Sequence, residues 1–388
     1  MKSEWTYRPL GELVSFASGG TPSKKRDDYW GGTIPWISAK TLKTENIDTS
    51  DLFITEEGLK AGSKIAPKGS ILLLTRGSGL FNGIPIARVE KDVAFNQDIK
   101  CLDSYGEVEN EFIFYWLLSQ KDYLMAKVGV TGIGAGKFDL DFLQKLMIPI
   151  PSERERKSIV GFANSISEKI RCNAKVNDNL EQQAAALFSS LYNRSNTEVR
   201  YTDLIQILGG GTPKTGETAY WNGNIAFFTP KDVGTPYTFI TEKTITEEGL
   251  SHCNSRLYPV NTVFVTARGT VGKVGLSGIP MAMNQSCYAL VGKETHQLLV
   301  YFYTLKAVDR LKHKASGAVF DAITTRDFDS EQIMKLSDDD AKAFLCVAEP
   351  MFQEMLNNSI ENLRLSTLRD FLLPKLMSGE IDVSSVQL

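Results

Sequence analysis

The sequence predicts an α/β (α+β) protein: two similar mixed globules, each followed by a long helix, the two helices pairing as an antiparallel coiled coil about an approximate two-fold axis. Three observations predict it. The loop GGTPSKKRDDYWGGTIPWISAK (19–40) returns as GGTPKTGETAYWNGNIAFFTPK (210–231), with Thr212 lying 191 residues beyond Thr21. Short β-rich runs bounded by Gly, Pro, Asn and Asp recur in both halves, as strands do. Each half then ends in an apolar run with a period of 3.5, which is the periodicity of a coiled coil.

The first globule spans 1–150. IPWIS and ILLLT read as strands, and EFIFYWLLSQ from Glu111 reads as an apolar helix. The long helix of 151–195 starts at a capping box, Ser152 with Glu155. Its seam runs through Ile159, Ala163, Ile166, Ile170, Asn173, Asn177, Leu180, Ala184, Leu187 and Leu191. At 1.5 Å per residue this helix is roughly 60 Å long, more than a globule of this size needs to cover itself.

The second globule, 196–336, repeats the first. ITEEGL occurs at Ile54 to Leu59 and again at Ile245 to Leu250. LLLTRGSG (72–79) matches VFVTARGTVG (263–272), with Arg268 lying 192 residues beyond Arg76, so one residue has been inserted. FNQD (95–98) matches MNQS (283–286), and HQLLVYFYTL from His296 matches the apolar helix. The last segment, 337–388, holds the second long helix and a C-terminal tail. Ser337 and Asp340 repeat the cap, and Phe344, Ala348, Met351, Met355, Asn358, Asn362, Leu365, Arg369, Leu372 and Leu376 repeat the seam. Asn173, Asn177, Asn358 and Asn362 are expected to fix its register, since a polar residue in an apolar seam costs stability but specifies alignment. Pro374 is expected to end or kink the second helix.

Composition excludes several classes. At 42% hydrophobic and 23% charged residues the chain is an ordinary soluble globular protein. No apolar run approaches a membrane span, and MKSEWTYRPL lacks the features of a signal peptide, so a cytoplasmic location is expected. The cysteines form no CxxC pair and the histidines are scattered, so no metal site is expected. A net charge of −3 does not by itself announce a nucleic-acid binder.

Catalytic motifs are absent from the sequence. GIGAGKF (132–138) lacks both the leading Gly and the hydroxyl of a P-loop, and GTVGK (269–273) fails similarly. There is no GxSxG, HExxH or N/D-P-P-Y/F motif. A chain with two similar ends and no reaction centre reads as a binding device.

The repeated loops carry groups that reach phosphates and base edges. Candidate contacts in the first copy are Thr21, Ser23, Lys24, Lys25, Ser38, Lys40, Thr75, Arg76, Ser78, Asn96, Gln97 and Lys137. In the second they are Thr212, Lys214, Thr215, Thr229, Lys231, Arg268, Thr270, Lys273, Asn284, Gln285 and Ser316. Asn96-Gln97 and Asn284-Gln285 present adjacent amides suited to two-pronged pairing with adenine, or they cap turns. The arginines meet DNA or pair locally. Tyr29-Trp30 and Tyr220-Trp221 read as core. Lys24-Lys25-Arg26 and the stretch from Arg310 to Lys314 are basic clusters, either solvated faces or phosphate contacts.

The order of these motifs, repeated twice and closed by LRDFLLPKLMSGEID, resembles the specificity subunit of Type I restriction–modification systems over the whole chain. The resemblance implies that each globule is a target recognition domain reading half of a bipartite site in double-stranded DNA. It implies that the coiled coil sets the spacing and docks two methyltransferase subunits, with restriction subunits in the full complex. S-adenosylmethionine, ATP and magnesium then belong to the partners, and this chain is non-catalytic with no cofactor of its own. The other reading is a pseudo-symmetric adaptor whose globules bind peptide or glycan. One departure stands out: IPIPSERER before the first helix becomes MKLSDDDAK before the second, so the second junction is expected to be built differently.

Overall fold

The computed structural model describes residues 5–130, 134–234, 236–314 and 322–383. The chain forms two compact units, Met1–Ile170 with Leu363–Leu388, and Arg171–Asn362. The division cuts through both long helices, so each unit holds a piece of each.

In the first unit six strands carry the frame: β1 (Val14–Ser18), β2 (Trp30–Ile37), β3 (Ile71–Leu74), β4 (Ile86–Val89), β5 (Val93–Phe95) and β6 (Ile99–Ser104). A five-stranded sheet has the order β1-β6-β3-β4 and then Asn46–Ile47. A second sheet pairs β2 with β5 in parallel. β3 is fully buried, as its unbroken ILLL run requires. Helix α1 (Asn110–Ser119) packs its apolar residues into the same core. Helix α2 (Glu153–Arg194) follows.

In the second unit β7 (Ile205–Gly209), β8 (Trp221–Phe228), β9 (Val263–Thr266), β10 (Val274–Ser277), β11 (Met281–Met283) and β12 (Cys287–Gly292) repeat the plan. The order β7-β12-β9-β10 and the parallel pairing of β8 with β11 match their counterparts strand for strand. Helix α3 (Gln297–Lys314) is continuous where the first copy breaks at Gln120, and α4 (Asp338–Met377) closes the chain.

The two junctions are built alike, against the sequence expectation. Met147–Ile150 pairs with Thr6–Pro9, and Gln332–Lys335 pairs with Thr197–Arg200, each leading directly into a long helix. Ser152 Oγ accepts from Glu155 N at 3.3 Å, and Ser337 Oγ accepts from Asp340 N at 3.1 Å. The sequence difference is local: Arg156, with Ala341 as its counterpart, is buried and donates to Glu109 at 2.9 Å.

The helices pair antiparallel within each unit. In the first, Ile159, Ala163 and Ile166 of α2 share a core with Leu373, Leu376 and Met377 of α4. α4 continues to Met377, so Pro374 does not end it there, although its missing N–H withdraws the usual intrahelical donor from the Asp370 carbonyl and the helix runs only three residues further. Arg369 is buried, and its guanidinium forks onto Glu45 at 2.6 and 2.9 Å. Burial pushes the Glu45 carboxyl up, but Arg369 and then Lys121 outweigh it and hold its pKa below the ordinary glutamate value.

In the second unit Ala184, Phe188 and Leu191 of α2 pack with Phe344, Ala348 and Phe352 of α4. The four seam asparagines meet here. Asn173 Nδ2 donates to Asn362 Oδ1 at 2.9 Å, and Asn358 Nδ2 donates to Asn177 Oδ1 at 3.0 Å. Asn177 Nδ2 donates to Ser359 Oγ at 3.1 Å.

Candidate nucleic-acid interface

The repeated Gly-Gly pair lays a loop flat against strand backbone. A Cβ on Gly19 would stand 2.1 Å from Phe95 O, and one on Gly210 would stand 2.2 Å from Asn284 O. With hydrogen alone at that position, Gly20 N donates to Phe95 O at 2.9 Å and Gly211 N to Met283 O at 3.1 Å. The next residue ties the loop to its neighbour. Thr21 Oγ1 donates to Gln97 Oε1 at 2.7 Å, and Thr212 Oγ1 donates to Gln285 Oε1.

The remaining loops of the first unit join by backbone. Asn96 N donates to Ile37 O at 2.9 Å, Thr75 N and Arg76 N donate to Asp98 O at 2.8 and 3.2 Å, and Phe138 N donates to Thr75 O at 2.9 Å. Segments 19–25, 38–41, 75–78, 96–98 and 136–138 thus meet at one edge. The second unit repeats every link. Asn284 N donates to Phe228 O at 3.0 Å, Ala267 N and Arg268 N donate to Ser286 O at 2.8 and 3.3 Å, and Ile323 N donates to Ala267 O at 2.9 Å. Here the edge also holds a cleft of about 410 Å³ lined by Thr229, Lys231, Thr270 and Asn284, four of the expected residues, with Glu242 and Lys243.

These bonds correct the alignment of the repeat. Arg76 does stand opposite Arg268, but Thr75 stands opposite Ala267, and Leu74 opposite Thr266. The inserted residue therefore lies before β3 and β9, since Leu74 pairs with Ile99 as Thr266 pairs with Cys287.

Side chains at the edge divide into inward and outward groups. Ser23, Lys24, Lys25, Lys40, Arg76, Ser78, Gln97 and Lys137 are exposed, as are Lys214, Thr215, Lys231, Arg268, Thr270, Lys273 and Gln285. Among the described residues only Lys231 of these cations forms an ion pair, with Glu242 at 3.3 Å. The others meet solvent, where an anion is free to approach.

The inward group follows the other reading, in which these side chains hold turns. Asn96 is buried; its Oδ1 accepts from Asp98 N at 3.2 Å and its Nδ2 donates to Asp98 Oδ2 at 3.3 Å. Asn284 Oδ1 accepts from Ser286 N at 3.0 Å. The two adjacent amides are therefore not presented together: the asparagine caps a turn and the glutamine alone is exposed. Thr75 is buried and donates to Asp98 O at 3.0 Å. Ser38 Oγ accepts from Lys40 N at 3.3 Å, and Thr229 Oγ1 donates to Asp232 Oδ2 at 2.6 Å, so both hydroxyls hold the turns from which Lys40 and Lys231 project. Ser316 lies outside the described residues.

The tryptophans brace the loops from beneath. Trp30 Nε1 donates to Ser23 O at 3.2 Å and Trp221 Nε1 to Lys214 O at 3.1 Å, while their rings meet Trp36 and Phe227 edge-on. Lys243, whose ammonium lies over the Trp221 ring at 5.6 Å, lines the cleft but was not legible in the sequence, because its counterpart in the repeat is Leu52.

Among the described residues no cluster of His, Cys, Asp or Glu forms a metal site, and no helix is long and apolar enough to cross a membrane. The arrangement offers cations, hydroxyls and amides on a rigid edge, twice over.

Comparison with known proteins agrees with this repetition. The family model of the Type I restriction modification DNA specificity domain matches residues 2–182 and again 193–335. The chain is 23% identical to the Type I restriction enzyme MjaIX specificity subunit of Methanocaldococcus jannaschii, over 99% of this chain and 95% of that protein. It is 28% identical over 186 residues to the HindI specificity subunit of Haemophilus influenzae, a match covering 46% of this chain and 40% of that one. The fold is similar to that of the S subunit of a Type I restriction–modification system from M. genitalium, at a TM-score of 0.54 and 17% identity, covering 96% of each chain.

Proposed function

The chain belongs to the family of Type I restriction–modification DNA specificity domains, of which it carries two copies, and from that premise we propose that it is the non-catalytic, sequence-reading subunit of a methyltransferase and nuclease complex. Each unit reads one half of a bipartite site in double-stranded DNA. The long helices set the spacing between halves and dock two methyltransferase subunits, and restriction subunits join in the full complex. S-adenosylmethionine, ATP and magnesium are bound by those partners, and the complex works in the cytoplasm.

The observation that best supports this reading is one rigid frame used twice with unlike exposed residues. Thr21 with Gln97, and Thr212 with Gln285, hold the same loop in the same way. The exposed tip is Ser23-Lys24-Lys25 in one copy and Lys214-Thr215-Gly216 in the other. Contacts to phosphate fix register but carry no sequence information, whereas side chains at base edges specify. A shared frame with different tips suits a protein that places two duplex segments alike and reads them differently. A net charge of −3 is compatible with this division, because the partners supply backbone-neutralising charge.

The test is to co-express the chain with its methyltransferase subunit and map methylated bases genome-wide. A bipartite motif of fixed spacing is expected, and exchanging residues 23–25 for 214–216 should alter one half of it. Methylation without sequence preference, or a motif indifferent to that exchange, would refute the reading.

A further inference from the structure

The hairpin that carries Arg76 differs between the copies. Leu74 N donates to Pro85 O at 3.0 Å to close one hairpin, and Thr266 N donates to Lys273 O at 2.9 Å to close the other. Residues 75–84 fill the first tip, whereas the shorter run 267–272 fills the second. The extra residues form a 3₁₀ turn, Ser78–Phe81, which the second copy lacks.

That turn is built to hold one aromatic ring in water. Leu80 is fully buried beneath it. Gly136 lies directly on Leu80, where a Cβ would come within 2.9 Å of the leucine Cβ. Gly77, at a φ of +136°, turns the chain into the hairpin tip in a region open to glycine. Successive residues of a 3₁₀ turn point about 120° apart, so anchoring Leu80 inward directs its neighbour out. Phe81 is accordingly 46% exposed. The same packing puts Lys137 beside Arg76 as its register partner, whereas the partner of Arg268 is Ala322.

A single exposed apolar side chain is ordinary on a protein surface. An exposed ring on an anchored turn, in the same hairpin tip as Arg76, whose strand partner is Lys137, has a specific chemical complement: the gap between two unstacked base pairs, with phosphates on either side. We infer that Phe81 is a stacking wedge that opens one base step in the half-site read by the first unit, with Arg76 and Lys137 on the flanking phosphates. The shorter hairpin of the second unit, 267–272, carries no aromatic residue and leaves its half-site stacked. This rests on the DNA-reading function proposed above.

The experiment uses the full chain reconstituted with its methyltransferase subunits, on duplexes bearing the mapped motif. 2-Aminopurine replaces one base at a time in either half. The methylated base itself is left out of the comparison, because methyltransferases extrude it. The wild-type complex should raise fluorescence at one step in one half only. Phe81→Ala should abolish that signal and weaken binding about tenfold, the order of one lost base–aromatic stack. Phe81→Trp should keep both. Unchanged fluorescence and affinity in Phe81→Ala would overturn the inference while leaving the DNA-reading function intact. Loss of assembly with DNA unstacking unchanged would overturn it too, by assigning Phe81 to a protein contact. If the wild-type complex binds DNA without sequence preference, both fall.

Discussion

At the scale of the residue, the edge separates groups that build from groups that are free to touch. Arg76 is exposed and without an ion pair, on a backbone fixed by Asp98 O. With Arg76 on a flanking phosphate, Arg76→Ala should weaken binding to all sequences alike, flatten the salt dependence and leave the mapped motif unchanged. A fork onto guanine would instead cost roughly 1–3 kcal/mol and relax one position of the motif. Asn96, two residues before that same Asp98, should behave oppositely. Its side chain is buried on Asp98, so Asn96→Ala should cost about 1–2 kcal/mol of folding stability by urea titration and leave the motif unchanged once the protein is assembled. This distinction was not legible in the sequence. Asn, Ser and Thr cap turns with the same atoms that read bases, and only the surrounding backbone decides which they do. The sequence left a like choice open for Arg76 and Arg268, DNA or a local ion pair, and both are exposed with no ion pair among the described residues.

At the scale of the element, the helices were legible and the boundaries of the compact units were not. A period of 3.5 is written locally, one turn after another, and α2 and α4 follow it through both asparagine pairs. Where a unit stops is set by tertiary contact. The first unit takes the last turns of α4 because Leu373, Leu376 and Met377 pack into its core. If the asparagines specify register, replacing Asn173, Asn177, Asn358 and Asn362 together by Leu should leave the protein folded but mixed in helix alignment, seen as a spread of methylated half-site spacings. A single retained spacing would exclude that role. The Glu45–Arg369 pair makes a separate prediction. Because the folded-state pKa of Glu45 is depressed, its stabilisation is present above the ordinary glutamate range and is lost as pH falls through the folded value. Arg369→Met should therefore cost about 2–3 kcal/mol in urea titrations at pH 7, since it leaves a largely buried carboxylate without its guanidinium. The penalty should shrink as pH falls below the ordinary glutamate range and through the folded-state value. A penalty independent of pH would make it one of packing alone.

At the scale of the whole molecule, internal repetition raises the question of why the chain closes on itself and does not pair with a second copy of its first half. Leu365, Leu372 and Leu376 of α4 have Leu180, Leu187 and Leu191 as their counterparts in α2. At these positions the second half of α2 from another copy matches α4, although Phe188 and Tyr192 stand where α4 places Leu373 and Met377 in the core. Arg369 breaks the equivalence, because its counterpart is Ala184, which sits in the apolar core of the second unit. In a dimer of residues 1–195, Glu45 would face Ala184 and keep only Lys121, which stands 3.3 Å away in the intact chain. The fragment should therefore dimerise, but more weakly than its apolar seam alone would allow. Ala184→Arg in the fragment should tighten that dimer at pH 7 by about the 2–3 kcal/mol that Arg369→Met costs the intact chain, and by progressively less as pH falls below the ordinary glutamate range. Sedimentation of both fragments across that pH range measures this directly. Because half-site symmetry mirrors protein symmetry, either dimer, co-expressed with the methyltransferase subunit, should direct methylation to an interrupted palindrome built from one half-site. If Ala184→Arg leaves the dimerisation constant unchanged, Glu45–Arg369 does not select which helix closes the first unit. If the modified motif is not palindromic, the two units do not read DNA independently.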